Sequence, residues 1–204
     1  TLVPHATQTA QALLQHAAAL QHIPAVLPRL LLDAHGHIRG ALLPGQPGYD
    51  DRAQRFLALY ADRLCVDTRL FDGVAELLDE LEALGLAWGI VTNKRMRYTD
   101  PLVAQLGLTP RTTCVVSGDT TAEAKPSPLP VRHACRLLNC RPERTLYVGD
   151  DRRDIVAGNA AGCRTVAAAY GYLGDSGPAP AWGAEWVIEQ PADLLAYLRP
   201  PVRR

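Results

Sequence analysis

The chain of 204 residues has 21 basic and 21 acidic side chains, so its formal net charge is zero. This balance argues against nucleic acid or an anionic membrane as the main partner, because both usually select a basic surface. Apolar residues make up 48% of the chain, yet no run approaches the roughly 18 apolar residues of a membrane span. The N-terminus also lacks the basic segment and apolar run of a signal peptide. We therefore expect a cytoplasmic protein, either a monomer or a homodimer.

The first 70 residues predict a small helical domain. Residues 7–22 are rich in Ala, Gln and Leu, and residues 50–64 carry apolar side chains at helical spacing, so we expect a helix in each segment. Residues 24–48 contain Pro and Gly and show no clear period.

After residue 70 the pattern changes to alternating strands and helices. Short apolar runs predict strands over 86–92, 112–117, 145–149, 165–170 and 186–188. Amphipathic stretches predict helices over 74–84, 99–106, 129–138, 152–161 and 192–198. This alternation is typical of βαβ units, and we therefore predict an α/β fold with a Rossmann-like parallel sheet and flanking helices.

Two polar motifs follow predicted strands or precede a predicted helix. Thr92 and Asn93 end the first strand of the alternating region, where a hydroxyl and nearby backbone amides can hold a phosphoryl oxygen. Lys125 precedes a Pro-Ser-Pro turn, which can fix its ammonium as a point charge for phosphate. Taken alone, each motif is also compatible with an ordinary turn or a solvated lysine.

Three carboxylates follow the strand over 145–149. Asp150 lies at its tip, Asp151 comes next, and Asp154 lies about one helical turn further on. A helix start explains one acidic residue, but three such charges repel one another unless a cation lies among them. Because oxygen ligands suit Mg²⁺, we predict a magnesium site formed by these carboxylates.

The order and spacing of these motifs resemble motifs two, three and four of the haloacid dehalogenase superfamily. Further segments are similar to its phosphoglycolate phosphatase-like branch and to bacterial N-acetylmuramate 6-phosphate phosphatases. These segments are Phe71-Asp72-Gly73-Val74, Tyr170-Gly171-Tyr172 and Trp182-Gly183-Ala184. The resemblance implies a Mg²⁺-dependent phosphatase acting on a small phosphate ester, in which Thr92 and Lys125 are catalytic, Asn93 also binds phosphate, and an aspartate is the nucleophile.

In this family, motif one is a strand followed by two aspartates. Thr1-Leu2-Val3 resembles the end of that motif, which would place both aspartates before residue 1. The resemblance then implies that residues 1–3 belong to the core, residues 4–70 form a helical cap domain, and residues 71–204 form the rest of the Rossmann-like core.

A rival placement of motif one uses Leu30-Leu31-Leu32-Asp33, with Asp33 as the nucleophile and His35 in place of the second aspartate. This placement leaves too few residues before Phe71 for a normal cap and gives the helix over 7–22 no role.

Three other readings of function remain at this point. The substrate could be phosphoglycolate or a sugar phosphate such as N-acetylmuramate 6-phosphate. A catalytically inactive relative that binds phosphate or metal is also compatible with a missing motif one. A phosphoacceptor receiver domain also combines acids, a threonine and a lysine on a parallel sheet, but there the acids come first and the lysine last, the reverse of the order here.

Overall fold

Parallel strands dominate this computed structural model, which describes residues 11–14, 31–32, 38–39, 48–62, 64–66, 68–171 and 177–198. In chain order the strands are β1 (Gln11–Leu14), β2 (Leu31–Leu32), β3 (Ile38–Arg39), β4 (Trp88–Val91), β5 (Cys114–Val116), β6 (Thr145–Gly149), β7 (Arg164–Ala168) and β8 (Trp186–Ile188). The helices are α1 (Tyr49–Asp62), α2 (Val74–Ala83), α3 (Met96–Gln105), α4 (Leu129–Leu137), α5 (Arg152–Ala161) and α6 (Leu195–Leu198). None of the helices in these ranges has both the length and the apolar character needed to cross a membrane.

The main sheet has the strand order β5-β4-β1-β6-β7-β8, and every neighbouring pair is parallel. Two strands that follow β1 in the chain lie on one side of it, and three lie on the other. The strand order therefore reverses beside β1, which is where open parallel sheets bind their ligands, outside the carboxyl ends of the strands. The predicted Rossmann-like α/β fold is confirmed.

The centre of the sheet differs from the sequence prediction. Gln11–Leu14 was expected within a helix but forms β1, which pairs with both β4 and β6. Without a strand at this place, two central strands would each expose unpaired backbone donors and acceptors. Pairing on both sides outweighs the helical propensity of a segment rich in Ala, Gln and Leu.

The described residues divide into two compact units, Thr1–Leu20 with Leu70–Arg204, and Gln21–Arg69. The second unit contains α1, close to the helix expected over 50–64, and an antiparallel pair of short strands, β2 and β3. The cap was predicted to be helical, but this unit also contains two strands. Since β1 belongs to the main sheet, residues 11–14 also fall outside the cap range of 4–70. The assignment of the remaining residues in that range stays a prediction.

The strand that precedes Asp33 lies outside the main sheet. Leu31–Leu32 pairs with Ile38–Arg39 in antiparallel register, whereas the central position between β4 and β6 is taken by β1. The rival placement of motif one needs Leu30–Leu32 as the central parallel strand, so the structure does not support it. Asp33 itself lies outside the described residues.

Apolar clusters cover both faces of the sheet because side chains alternate along each strand. In β6, Leu146 and Val148 belong to the cluster that includes α2, whereas Tyr147 belongs to the cluster on the opposite face with α4 and α5. Burial on both faces is typical of parallel sheets with helices on each side.

Most predicted boundaries after residue 70 lie within a few residues of the observed ones. Two helix starts shift by three residues: α6 begins at Leu195 rather than at residue 192, and α3 shifts by as much. This helix begins at Met96 rather than at residue 99. The Asp119 carboxylate accepts a hydrogen bond from the Met96 backbone amide at 2.8 Å. A partner 23 residues away thus satisfies an amide at the first turn, which no local pattern indicates.

A buried leucine in α2 should contribute much more to stability than an exposed one at the end of the same helix. Leu81 is 0% exposed and Leu84 is 47% exposed. We expect Leu81→Ala to lower the free energy of unfolding by about 2–5 kcal/mol, because it leaves a cavity in the core. The matched change Leu84→Ala should stay within about 0.5 kcal/mol of the wild type. Urea unfolding checks both values, and equal losses would contradict this description of the core.

Candidate active site

Three separate segments of the chain meet near the carboxyl ends of β4 and β6. Thr92 follows β4 directly, Asp150 follows β6 directly, and Lys125 lies shortly before α4. The Lys125 ammonium donates a hydrogen bond to the carbonyl oxygen of Val91 at 2.9 Å and contacts Asp154. The lysine therefore connects the end of β4 with the first turn of α5.

The contact between Lys125 and Asp154 is a buried ion pair. Lys125 Nζ lies 2.8 Å from Asp154 Oδ1, and each side chain is only 1% exposed. Burial raises the pKa of Asp154 above its usual value, and the Lys125 ammonium opposes that rise. A buried charge is costly unless it is paired, so each partner requires the other.

Asn93 holds the backbone of Lys125 through both atoms of its side-chain amide. Asn93 Nδ2 donates to the Lys125 carbonyl oxygen at 2.9 Å, and Asn93 Oδ1 accepts from the Lys125 amide at 2.9 Å. The sequence predicted Asn93 as a phosphate-binding residue. Because both ends of its amide are used on Lys125, the geometry favours a positioning role.

Thr92 is buried at the tip of β4, with 6% of its surface exposed. Its backbone amide donates to the carbonyl oxygen of Val116 at 2.9 Å, and its hydroxyl oxygen accepts a hydrogen bond from the Lys94 amide at 3.1 Å. The hydroxyl hydrogen can therefore be directed to another acceptor, such as a phosphoryl oxygen.

Asp150 is completely buried at the end of β6. The backbone of Gly171 lies against its side chain so closely that a Cβ on Gly171 would be 2.6 Å from Asp150 Oδ2. A buried carboxylate at the carboxyl end of a parallel strand fits a hard cation such as Mg²⁺ as one oxygen ligand. The other ligands that Mg²⁺ needs can be water, the phosphate ester or residues outside the described ranges.

Asp151 has a structural partner that the sequence analysis did not identify. It precedes α5 and accepts a hydrogen bond from the Arg153 amide at 2.8 Å. Its other oxygen lies 2.7 Å from the Arg153 guanidinium. Partial burial alone would raise the pKa of Asp151, but the hydrogen bonds from Arg153 outweigh it, so the pKa lies below its usual value.

The three acidic residues thus have different surroundings. Asp151 pairs with Arg153, and Asp154 pairs with Lys125. No group of three His, Cys, Asp or Glu side chains in the described ranges is arranged to hold a metal ion by itself. Of the predicted ligands, Asp150 therefore fits a metal best, and the metal-binding roles of Asp151 and Asp154 stay predictions.

The attacking carboxylate expected for this type of site has no candidate directly after β1. The residues that follow β1 in the sequence are Gln15, His16 and Ala17, and the first acidic residue of the chain is Asp33. All four lie outside the described residues. The described part of the site supplies positive charge, a hydroxyl and a candidate metal ligand.

Breaking the buried ion pair should destabilise the protein far more than breaking an exposed one. Asp154→Asn leaves the Lys125 ammonium buried without its counter-charge, and we expect a loss of about 3–5 kcal/mol in the free energy of unfolding. The matched change Glu185→Gln removes the carboxylate that faces Arg164 at 2.8 Å, where both side chains are more than 40% exposed. It should cost less than about 1 kcal/mol.

Chemical denaturation of both variants measures the difference. The double variant Lys125→Met with Asp154→Leu should recover much of the lost stability, since it removes both buried charges. If Asp154→Asn is as mild as Glu185→Gln, the pair does not hold the site together.

Comparisons with known proteins show the family to which the chain belongs. The model of the haloacid dehalogenase-like hydrolase family matches residues 44–168. An N-acetylmuramic acid 6-phosphate phosphatase from Pseudomonas putida is 40% identical over 154 residues, which cover 76% of this chain and 69% of that protein. A phosphoglycolate phosphatase from Xanthomonas campestris pv. campestris is 44% identical over 140 residues, which cover 68% of this chain and 63% of that protein.

The fold is also similar to that of solved structures. One is the crystal structure of a predicted phosphoglycolate phosphatase from Haemophilus somnus 129PT, with a TM-score of 0.75 and 22% sequence identity. The match covers 96% of this chain and 100% of that chain. The resemblance inferred from the sequence motifs is confirmed, and this chain belongs to the haloacid dehalogenase-like hydrolases.

Proposed function

We propose that this protein is a Mg²⁺-dependent hydrolase of small phosphate monoesters. One observation carries the proposal: the buried Lys125 ammonium lies 2.9 Å from the carbonyl oxygen of Val91, the residue before Thr92, and 2.8 Å from Asp154. The ammonium is thus held at the end of β4, where the chain runs into the buried Thr92. A phosphate ester carries up to two negative charges and needs such an environment.

The reaction proposed is displacement at phosphorus in two steps. A carboxylate oxygen forms a bond to phosphorus while the ester P–O bond breaks, and the leaving alkoxide takes up a proton. Water then hydrolyses the resulting aspartyl phosphate. We assign none of the described residues to the attacking role.

The described residues prepare the phosphate for attack. Lys125 offsets the charge that repels an approaching carboxylate, and the Thr92 hydroxyl donates to a phosphoryl oxygen and orients it. Asp150 would hold Mg²⁺, which when bound supplies further positive charge to the phosphoryl oxygens. Asn93 keeps the backbone of Lys125 in register with the end of β4.

The substrate proposed is phosphoglycolate or N-acetylmuramate 6-phosphate. Two relatives are named for these compounds, with 44% and 40% identity to this chain. Both are phosphate esters of a primary alcohol, and both also carry a carboxylate.

A second candidate function is phosphate or metal binding without turnover. It is favoured by the absence of Asp and Glu from residues 1–32 of the sequence, which include the central strand β1. A protein of this kind would keep Thr92, Lys125 and Asp150 but would release no phosphate.

Phosphate release tests the proposal. We expect hydrolysis of one of the two named esters that depends on Mg²⁺, and Asp150→Asn should reduce kcat/KM by about 10²–10³-fold, the usual effect of removing one preorganised electrostatic group. Thr92→Val should reduce kcat/KM by about 10²-fold, whereas Thr92→Ser keeps the hydroxyl and should remain close to the wild type.

The assay should use the protein expressed from its natural reading frame, with each variant checked for folding. Equal activity of Thr92→Val and Thr92→Ser would contradict the role of the hydroxyl. If no ester is hydrolysed but inorganic phosphate and Mg²⁺ bind, and binding is lost in Asp150→Asn, the second candidate function is supported instead.

A further inference from the structure

We propose that Gly171 is a positioning residue, whose lack of a side chain allows the Asp150 carboxylate to occupy its place at the metal-binding edge of the sheet. The inference rests on the proposed function only in that it assigns a cation to Asp150. The contact itself can be tested without any activity.

The contact between Gly171 and Asp150 leaves no room for a methyl group. A Cβ built on Gly171 would lie 2.3 Å from Asp150 Cβ, 2.6 Å from Oδ2 and 2.9 Å from Cγ. These are the three nearest atoms, and all belong to one side chain. Carbon atoms in van der Waals contact lie about 3.5–4.0 Å apart, so any side chain at residue 171 must displace either Asp150 or the local backbone.

The backbone that leads into Gly171 is held by hydrogen bonds and by a ring contact. The Gly171 amide donates to the carbonyl oxygen of Ala168 at 3.2 Å, and the Ala169 amide donates to the carbonyl oxygen of Ile188 at 2.8 Å. The ring of Tyr170 packs edge-on against Phe71, with ring centroids 6.0 Å apart. These contacts oppose movement of residue 171, so the strain of an added methyl group would fall on the Asp150 side chain.

A need for unusual backbone angles does not explain this glycine. Gly171 is not among the glycines with positive φ, unlike Gly162 and Gly177. Its backbone conformation is therefore open to alanine, and among the described residues it is the Asp150 side chain that leaves no room for one. The sequence alone gives this glycine no role beyond its place in a Tyr-Gly-Tyr segment.

The consequence concerns the cation more than the fold. Widening the 2.3 Å separation from Asp150 Cβ to van der Waals contact moves the carboxylate by about 1 Å and changes the direction of its oxygen atoms. Residues that orient a metal ligand typically affect metal affinity by about 10–100-fold. Gly171 would thus act on the metal through Asp150, without touching it.

The first experiment measures metal binding directly, with Mn²⁺ as the probe because it shares the preference of Mg²⁺ for carboxylate oxygen. Electron paramagnetic resonance gives the Kd of Mn²⁺ for the folded protein without substrate. We expect Gly171→Ala to raise this Kd by at least tenfold, as Asp150→Asn should. Gly177→Ala is the matched control, because a Cβ there meets no atom within 4 Å, and it should leave the Kd unchanged even if it lowers stability.

The second experiment tests the contact when the single variant is too unstable to study. Asp150→Gly removes all three atoms that a methyl group at residue 171 would strike. Gly171→Ala should therefore lower the Tm strongly in the wild-type background and little in the Asp150→Gly background. An equal loss in both backgrounds would overturn the proposal.

The outcomes separate this inference from the proposed function. If no phosphate ester is hydrolysed but Mn²⁺ binding falls in Gly171→Ala and not in Gly177→Ala, the positioning role holds and the phosphatase proposal fails. A wild-type affinity for Mn²⁺ in a folded Gly171→Ala variant, or no Mn²⁺ binding by the wild type, would overturn the positioning role.

Discussion

The buried ion pair between Lys125 and Asp154 is the interaction on which the rest of the site depends. Moving either charge out of water alone costs several kcal/mol, so the fold keeps both charges only where they meet. Their contact at 2.8 Å joins the segment before α4 to the first turn of α5. The further hydrogen bond from Lys125 to the carbonyl oxygen of Val91 ties both segments to the end of β4. The position of the ammonium is thus fixed by three parts of the chain at once.

The topology of the sheet explains why these groups gather at one edge. All neighbouring strands of the main sheet are parallel, so the residues that follow β4 and β6 lie at the same edge of the sheet, the one formed by the carboxyl ends of the strands. β1 lies between these two strands and completes the central hydrogen bonding. Small glycines then allow the acidic side chains to lie close to the backbone: Gly149 lies against Asp154, and Gly171 lies against Asp150. The shape of the site therefore depends on residues without side chains as much as on charged ones.

Much of this arrangement could be predicted from the sequence because its signals are local. Thr92, Lys125 and Asp150 each lie beside a strong strand or turn pattern. The positions of the strands along the chain after residue 86 follow from the alternation of apolar runs and helices. The predicted and observed limits of β6, β8 and α5 coincide. Where the apolar residues of a segment face the core, the local pattern is sufficient to predict whether the segment is a strand or a helix.

The features that were missed depend on partners distant in the sequence. The segment Gln11–Leu14 has a helical composition, and only its two neighbouring strands make it a strand. Asp151 was expected to bind metal, yet the Arg153 guanidinium lies 2.7 Å from its carboxylate. The side-chain amide of Asn93 binds the backbone of Lys125, which lies 32 residues further along the chain. Gly171 lies 21 positions beyond Asp150 in the sequence. No pattern in a single sequence reports such contacts.

The most direct test of the account is a crystal structure of the protein with Mg²⁺ and orthovanadate, which mimics a phosphoryl group in transfer. We expect the vanadate to accept a hydrogen bond from the Thr92 hydroxyl and to lie beside the Lys125 ammonium, with Mg²⁺ bound to Asp150. Vanadate or Mg²⁺ bound elsewhere on the protein, with Thr92, Lys125 and Asp150 left without contact to either, would contradict it.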